Sequence, residues 1–269
     1  MSGAVVLLIA VFVAAEAVPV LADIGLRAFL FDASWHPAPD AADGTFGLLP
    51  MVAGTLLVGA LALALAVPLG MASALFCQFY APPRMGSAYR RLVEVLAGIP
   101  SVVYGFWGLV VVVPWIARLS PPGPSLLAGG LVLAVMVLPT LALEADAALA
   151  AVPRELLQGA AALGLSRAAT VLGVALPAAR SGLAAGLLLA AGRALGETMA
   201  VLMVCGNVVR VPDSVFDPVR TLTANIALEM AYALDDHRGA LFVTGLVLLA
   251  LVTVLVWLAD RLGGGLRHA

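Results

Sequence analysis

The sequence predicts an all-α polytopic membrane protein of about six transmembrane helices, and three observations carry that prediction. The 269 residues are 63% hydrophobic and 11% charged, with a mean hydropathy of +1.10, whereas soluble domains run near half apolar and a quarter charged. The apolar residues gather into six stretches, at 4–21, 48–79, 93–117, 126–143, 182–209 and 240–258. Helical crossing of a hydrocarbon core about 30 Å thick takes about 20 residues, which each stretch reaches or approaches. The arginines, finally, favour alternate connections between these stretches, as positively charged cytoplasmic loops do.

Taken in order, the first stretch has two readings. Residues 4–14 could form the apolar core of a signal peptide with Ala15-Glu16-Ala17 as its cleavage site. No basic residue precedes them, and the run resumes through Val18–Leu21, so a retained first span is expected. The second and fifth stretches exceed one crossing and should tilt or project. Pro68, Pro100, Pro114 and Pro139 lie within or at the ends of spans, as bending points or ordinary packing irregularities.

Orientation follows from charge. Residues 81–92 carry Arg84, Arg90 and Arg91, residues 144–180 carry Arg154, Arg167 and Arg180, and the tail adds Arg261 and Arg267. The alternate connections hold Arg27 beside Asp32, Asp40 and Asp43, then Arg118 alone, then three arginines among the acids Asp213, Asp217, Glu229, Asp235 and Asp236. Both termini are thus expected in the cytoplasm. Glu94, at the head of the third span, is read as a helix-start group near Arg90 and Arg91, with a pathway or gating role as the alternative. Glu144 and Asp146 read as solvated at the cytoplasmic end of the fourth span.

Two connections carry helix signals. Val152-Pro153-Arg154-Glu155 opens a helix with proline and an acid in its first turn; Gly164 stops it, and Ser166 caps a second short helix through Thr170. Two short helices at the membrane surface suit docking against a partner. In the outer connection, Asp217-Pro218 reads as a cap and first-turn proline, with Leu222, Ile226 and Met230 forming one stripe. That helix either dips into the outer face of the bundle or packs on the span ends.

Catalytic signatures are missing. The sequence has no Walker phosphate loop, no His-Glu-x-x-His and no nucleophile elbow. All 14 basic residues are arginine, which excludes lysine Schiff-base chemistry. Cys77 and Cys205 lie in apolar runs and read as small buried hydrophobes, and His36, His237 and His268 are scattered, so no metal site is expected. The net charge of −2 offers no field for nucleic acid. Gly263-Gly264-Gly265 reads as a flexible tail.

Arg193 and Glu197, four residues apart, should share one helix face about 6 Å apart along the axis. A charge at mid-bilayer costs about 3 kcal/mol on insertion scales, so a pair facing the bundle is expected. It either fixes helix packing, or offers an anion a fork of donors that Glu197 holds or releases.

Gln158-Gly159-Ala160-Ala161, then Gly164, then Val174-Ala175-Leu176-Pro177 match the spacing of the cytoplasmic EAA loop of ABC import permeases, with Gln158 and Gly159 standing where Glu and Ala are usual. The stretches 96–105 (Leu-Ala-Gly-Ile-Pro-Ser-Val-Val-Tyr-Gly) and 192–200 (Gly-Arg-Ala-Leu-Gly-Glu-Thr-Met-Ala) resemble the PstC family of phosphate ABC transporter permeases. Trp35-His36-Pro37, Gly206-Asn207 and Thr223-Ala224-Asn225-Ile226-Ala227 fit the same resemblance. It implies the type I ABC importer (MetI-like) permease fold, with an N-terminal helix and periplasmic loop over 1–47, a permease core over 48–262 holding a coupling loop at 152–177, and a cytoplasmic tail over 263–269. It implies inorganic phosphate import across the bacterial inner membrane, by a transport subunit without an ATPase site. The implied partners are a PstA-like second permease, a PstB-like ATPase dimer and a PstS-like binding protein. The chain would bind no cofactor, ATP and Mg being used by the ATPase. Arg193 and Glu197 would lie on the pathway, and Glu155, Gln158, Gly159, Ala160, Ala161, Gly164, Leu176 and Pro177 would serve coupling. A permease for another oxyanion (sulfate, molybdate, a phosphonate) is the near alternative. A gradient-driven carrier is the distant one, for which repeated halves would be expected.

Overall fold

A computed structural model describes residues 2–37 and 44–264. Asp40 and Asp43 of the outer connection, and Gly265, Arg267 and His268 of the tail, lie outside the described residues. Among those described, five helices are long and apolar enough to cross a membrane: Gly3–Ile24, Leu49–Tyr80, Leu126–Ala150, Arg167–Gly196 and Asp235–Leu258. A sixth crossing exists if the pair Pro83–Ala97 and Ser101–Ala117 is one broken span.

The elements in chain order are α1 (Ser2–Ile24), α2 (Leu26–Phe31), a hairpin of β1 (Trp35–His36) and β2 (Thr45–Phe46), α3 (Leu49–Leu75), α4 (Pro83–Ala97), α5 (Ser101–Trp107), α6 (Val113–Ala117) and α7 (Leu126–Ala150). They continue with α8 (Arg154–Ala162), α9 (Arg167–Thr170), α10 (Leu176–Gly196), α11 (Met199–Val204), α12 (Leu222–Glu229) and α13 (Asp235–Gly264). The exposure of these helices is that of lipid-embedded segments. Val5, Leu7, Leu8 and Phe12 of α1 are all exposed, and only 11% of that span's apolar window is buried against 67% for α7, which makes α7 the interior span.

Prolines shape the helices through a repeated device. π-helical turns occupy Phe76–Tyr80, Gly108–Val112 and Val171–Ala175. Each ends two residues before a proline: Pro82, Pro114 and Pro177. The residue preceding each proline reaches back five positions, Ala81 to the Phe76 carbonyl, Val113 to Gly108 and Leu176 to Val171. A proline has no N–H for the carbonyl four residues back and clashes with it. The wider turn relieves both defects. Pro68 and Pro139 lie inside α3 and α7.

Two expected spans are corrected. The third is interrupted at Gly98-Ile99-Pro100, where proline disfavours helix in the residue before it, and Gly98 N–H closes α4 on Glu94 and Val95 carbonyls. Glu94 therefore sits exposed in the last turn of α4, not at the head of a span. The fifth span is displaced: helix begins at Arg167 and ends at Gly196, where 182–209 was expected. The short helix after Ser166 is accordingly the start of that span, the π turn carrying the chain past Pro177. At the end of the chain, Gly263 and Gly264 belong to α13, since adding residues to an established helix costs little. The same helix starts at Asp235-Asp236, whose charges complement its N-terminus.

The chain divides into two compact units, each built from three separated segments. The first comprises residues 1–60, 101–132 and 195–254. Its core joins Ala17 and Val20 of α1, Phe29, the hairpin's Trp35 and Phe46, Met51, Leu222, and Ala240 and Leu241 of α13. The hairpin is antiparallel, with Trp35 opposite Phe46 and His36 opposite Thr45. α11 packs closely on α5, because Gly105 lets the backbones approach: a Cβ there would stand 2.9 Å from Ala200 Cα. The second unit comprises 61–100, 133–194 and 255–269. Ala74, Ala145, Leu149, Val152 and Ala179 form its core, with Leu157 of α8 and Leu176 packed against it.

Gly105→Val forces α5 off α11 and should lower stability by about 1–3 kcal/mol, the usual range for overpacking. Thermal unfolding of the detergent-purified complex measures it as a lowered midpoint.

Candidate functional site

The stretch around Arg193 and Glu197 differs from the expected single helical face. α10 ends at Gly196, a poor helix former, and Glu197 and Thr198 stand outside helix before α11 begins. Glu197 turns its carboxylate forward: Oε1 accepts the Ala200 N–H at 3.1 Å and caps α11. Its own carbonyl accepts the Thr223 hydroxyl at 2.7 Å. Glu197 is thus committed to the break, and a standing ion pair between the two charges is corrected to a broken helix with a capped re-entry. Arg193, in the last turn of α10, is exposed and has no hydrogen-bond or ion-pair partner among the described residues.

The segment from Pro153 to Ser166 takes the expected helix, turn and cap. Pro153 precedes α8 with φ −56°, Glu155 lies in its first turn, and Ala160 is its buried residue. Glu155, Gln158, Gly159 and Ala161 are exposed along it. Gly164 adopts φ +71°, a left-handed conformation that glycine takes without a Cβ penalty. Ser166 then accepts the Ala169 N–H at 3.2 Å. Of the downstream pair, Leu176 packs into the unit core while Pro177 is exposed. A groove of about 310 Å³ lies along this segment, lined by Gln78, Phe79, Leu157, Ala161, Leu165 and Arg167 among others. Leu163, at the end of α8, is 81% exposed.

Two ionic clusters escaped the sequence reading. Asp146, expected to be solvated, is 15% exposed and grips Arg90 through two bonds, Oδ2 to Nε at 2.7 Å and Oδ1 to Nη2 at 3.1 Å. Gln78 adds Nε2–H to Oδ1 at 2.9 Å. Such a bidentate pair is the strong form of the interaction. The signal was present as the acids Glu144 and Asp146 in an otherwise apolar helix, which calls for a cation from another segment.

The second cluster surrounds Glu229, whose side chain is 7% exposed. Its Oε1 accepts from Arg220 Nη1 at 2.6 Å, and its Oε2 accepts the Trp35 indole N–H at 2.9 Å and lies 2.9 Å from His237 Nε2. Arg220 further donates to the Asn207 carbonyl at 3.0 Å and to Asn225 Oδ1 at 3.0 Å. This network ties the N-terminal hairpin, α12 and the start of α13 together. α12 is buried through Leu222, Thr223, Ala224, Asn225 and Glu229, so this helix is enclosed instead of resting on one stripe. It starts at Leu222, capped by Thr221. Asp217 does not cap it. Its carboxylate accepts the Asp213 and Ser214 N–H groups and pairs with Arg210 at 3.1 Å. Those bonds, the Asp213 N–H foremost, hold the Asp217 carboxyl below the usual carboxylate range.

Residues 66–268 match the family described as binding-protein-dependent transport system inner membrane component. Among curated relatives, the probable ABC transporter permease protein YqgH of Bacillus subtilis is 41% identical over 227 residues, covering 83% of this chain and 73% of that protein. The phosphate transport system permease protein PstC of Mesorhizobium japonicum is 34% identical over 253 residues, covering 86% and 76%. PstC 1 of Mycobacterium tuberculosis is 37% identical over 242 residues, covering 80% and 71%. Among solved structures, an inward-facing form of the MetNI methionine ABC transporter aligns with a TM-score of 0.61 at 20% identity, over 81% of this chain and 94% of that one. That last likeness concerns the fold alone.

Glu229→Ala leaves the Arg220 guanidinium without its carboxylate, a loss that costs about 3–5 kcal/mol for a buried pair. Glu229→Gln keeps one acceptor oxygen, for either Arg220 or Trp35, and should lose less; unfolding midpoints of the two purified variants measure the order.

Proposed function

The chain belongs to the family of binding-protein-dependent transport system inner membrane components, and from that premise we propose that it is the membrane-spanning permease subunit of an ATP-driven inorganic phosphate importer. Curated relatives named as phosphate transport permeases match more than four-fifths of its length, which favours phosphate over sulfate, molybdate or a phosphonate. The five to six apolar crossings make it a multi-pass membrane subunit. The family works with an ATPase, a substrate-binding protein and a second permease. We assign these to PstB-like, PstS-like and PstA-like proteins, with both termini of this chain in the cytoplasm. The chain itself carries no ATPase site and takes no cofactor; ATP and Mg are used by the partner ATPase.

The observation that carries the mechanism is the uncommitted guanidinium of Arg193 at the end of α10. A charge on a membrane helix costs about 2.5–3.5 kcal/mol at the bilayer centre, so it is retained where it faces a partner helix, water or a passing ion. Arginine presents five N–H donors in a planar fork matched to a tetrahedral oxyanion. Glu197 serves by holding the helix break that ends α10, and not by gripping the fork. Non-helical backbone at membrane depth is tolerated where it is enclosed or lines a pathway.

Force enters at the other motif. α8 presents Glu155, Gln158, Gly159 and Ala161 on its exposed side, and small residues there let an ATPase groove close on the helix. The Gly164 turn leads directly into the helix that carries Arg193 in its last turn. A push on α8 therefore reaches the guanidinium along one continuous run of chain. Glu94, exposed in the last turn of α4, is the secondary gating candidate.

In the assembled transporter in proteoliposomes, Arg193→Gln should abolish phosphate uptake while complex assembly stays intact; uptake at the parental level would remove Arg193 from the pathway. Excess sulfate should leave phosphate uptake unchanged, and strong competition would shift the assignment to the sulfate alternative. Gly164→Val, strained at φ +71°, should leave ATP hydrolysis running with uptake reduced, and full coupling would dismiss the docking role of α8.

A further inference from the structure

The break at Glu197 is held by a chain of hydrogen bonds whose direction can be assigned. The Thr223 hydroxyl donates its one proton to the Glu197 carbonyl at 2.7 Å. Its 3.0 Å contact with the Thr221 hydroxyl must then be a bond that Thr221 donates, since each hydroxyl has a single O–H. Thr221 in turn accepts the Ala224 N–H at 3.2 Å, the bond that caps α12. The sequence of donors runs from the Ala224 N–H through Thr221 and Thr223 to the Glu197 carbonyl. Thr221 and Thr223 are 3% and 7% exposed, so water does not compete for these groups.

A third threonine fastens the same helix end. Thr55, 3% exposed, accepts the Leu222 N–H at 3.0 Å and donates to the Met51 carbonyl at 2.7 Å. The far end of α12 is clamped by Glu229 to Arg220, Trp35 and His237. α12 is therefore fixed at both ends, with one hydroxyl reaching from it to the backbone where α10 gives way to α11. A carbonyl just past a helix terminus has no partner in the helix ladder, and Thr223 supplies one. With that peptide plane set, the Glu197 carboxylate can turn onto the Ala200 N–H.

We propose that Thr223 is a positioning residue for transport: its hydroxyl fixes the Glu197 peptide, and makes the α12 cap and the α10–α11 break move as one hydrogen-bonded unit. The outer enclosed helix thereby governs the Glu197 break. This inference rests on the reading that the break lies on the anion pathway.

The test uses the complete transporter with its binding protein, in proteoliposomes, with Thr223→Val, Thr223→Ser, Glu197→Ala and the double variant Thr223→Val/Glu197→Ala. Thr223→Val keeps the side-chain shape and loses the proton donor. Uptake should fall roughly tenfold, the factor that one missing bond to a buried carbonyl carries, with assembly and ATP hydrolysis unchanged. Thr223→Ser should restore uptake to within about twofold. In the Glu197→Ala background, which lacks the oxygen that accepts the Ala200 N–H, the valine should add little, because two residues acting through one unit are non-additive. Parental uptake by Thr223→Val overturns the inference alone, as do fully additive losses in the double variant or loss of assembled complex in both Thr223 variants. Parental uptake by both Arg193→Gln and Glu197→Ala overturns the pathway reading and this inference with it.

Discussion

A backbone placed in hydrocarbon must satisfy every N–H and C=O from within the protein, and most of this molecule's departures from regular helix answer that one demand. Prolines remove donors at positions 82, 114 and 177, and a π turn immediately upstream rearranges the carbonyls each time. At Glu197-Thr198 the helix stops altogether. There the loose groups are met by a carboxylate, by a hydroxyl from α12 and by the Thr198 side chain, which returns to the Gly196 carbonyl at 3.4 Å. Such a break survives only because neighbouring elements are built to complete it.

Charges obey the same rule. Asp146 is matched by Arg90, and Glu229 by Arg220, in each case from a distant or separate segment and in each case with extra neutral donors filling the remaining lone pairs. Against this pattern of internal compensation, Arg193 differs. Among the described residues it is a cation on an apolar helix with no ion-pair partner, a state that Arg180 near the start of the same helix shares. The contrast gives it weight as a candidate contact for something arriving from elsewhere, a second permease or a passing anion.

The fold class was legible because lipid imposes a long apolar period that composition alone reveals. The spans at 4–21, 48–79, 126–143 and 240–258 correspond to helices of similar extent, and the helix-start, glycine-stop and serine-cap signals at Pro153-Arg154-Glu155, Gly164 and Ser166 located α8, its closing turn and the cap that follows. The fifth span was misplaced because Arg167 and Arg180 look like loop residues to a hydropathy argument, though both lie on the helix that runs to Gly196. The third was drawn continuous because hydropathy does not register what Pro100 does to the residue before it. Ion partners were the least legible part. Glu229 and Arg220, or Asp146 and Arg90, are 9 and 56 residues apart, and only tertiary folding makes them neighbours. The Arg193–Glu197 face failed for a local reason: a spacing of four implies proximity only while helix continues, and Gly196 ends it.

The π turns also alter how position along these helices translates into direction. Each such turn takes up one more residue than an α turn, and one residue corresponds to about 100° of rotation about the axis. Angular counting begun at Arg167 therefore loses phase at Val171–Ala175 and must restart at Leu176. The bearing of Arg193 is consequently set by the twenty-one residues of α10 itself.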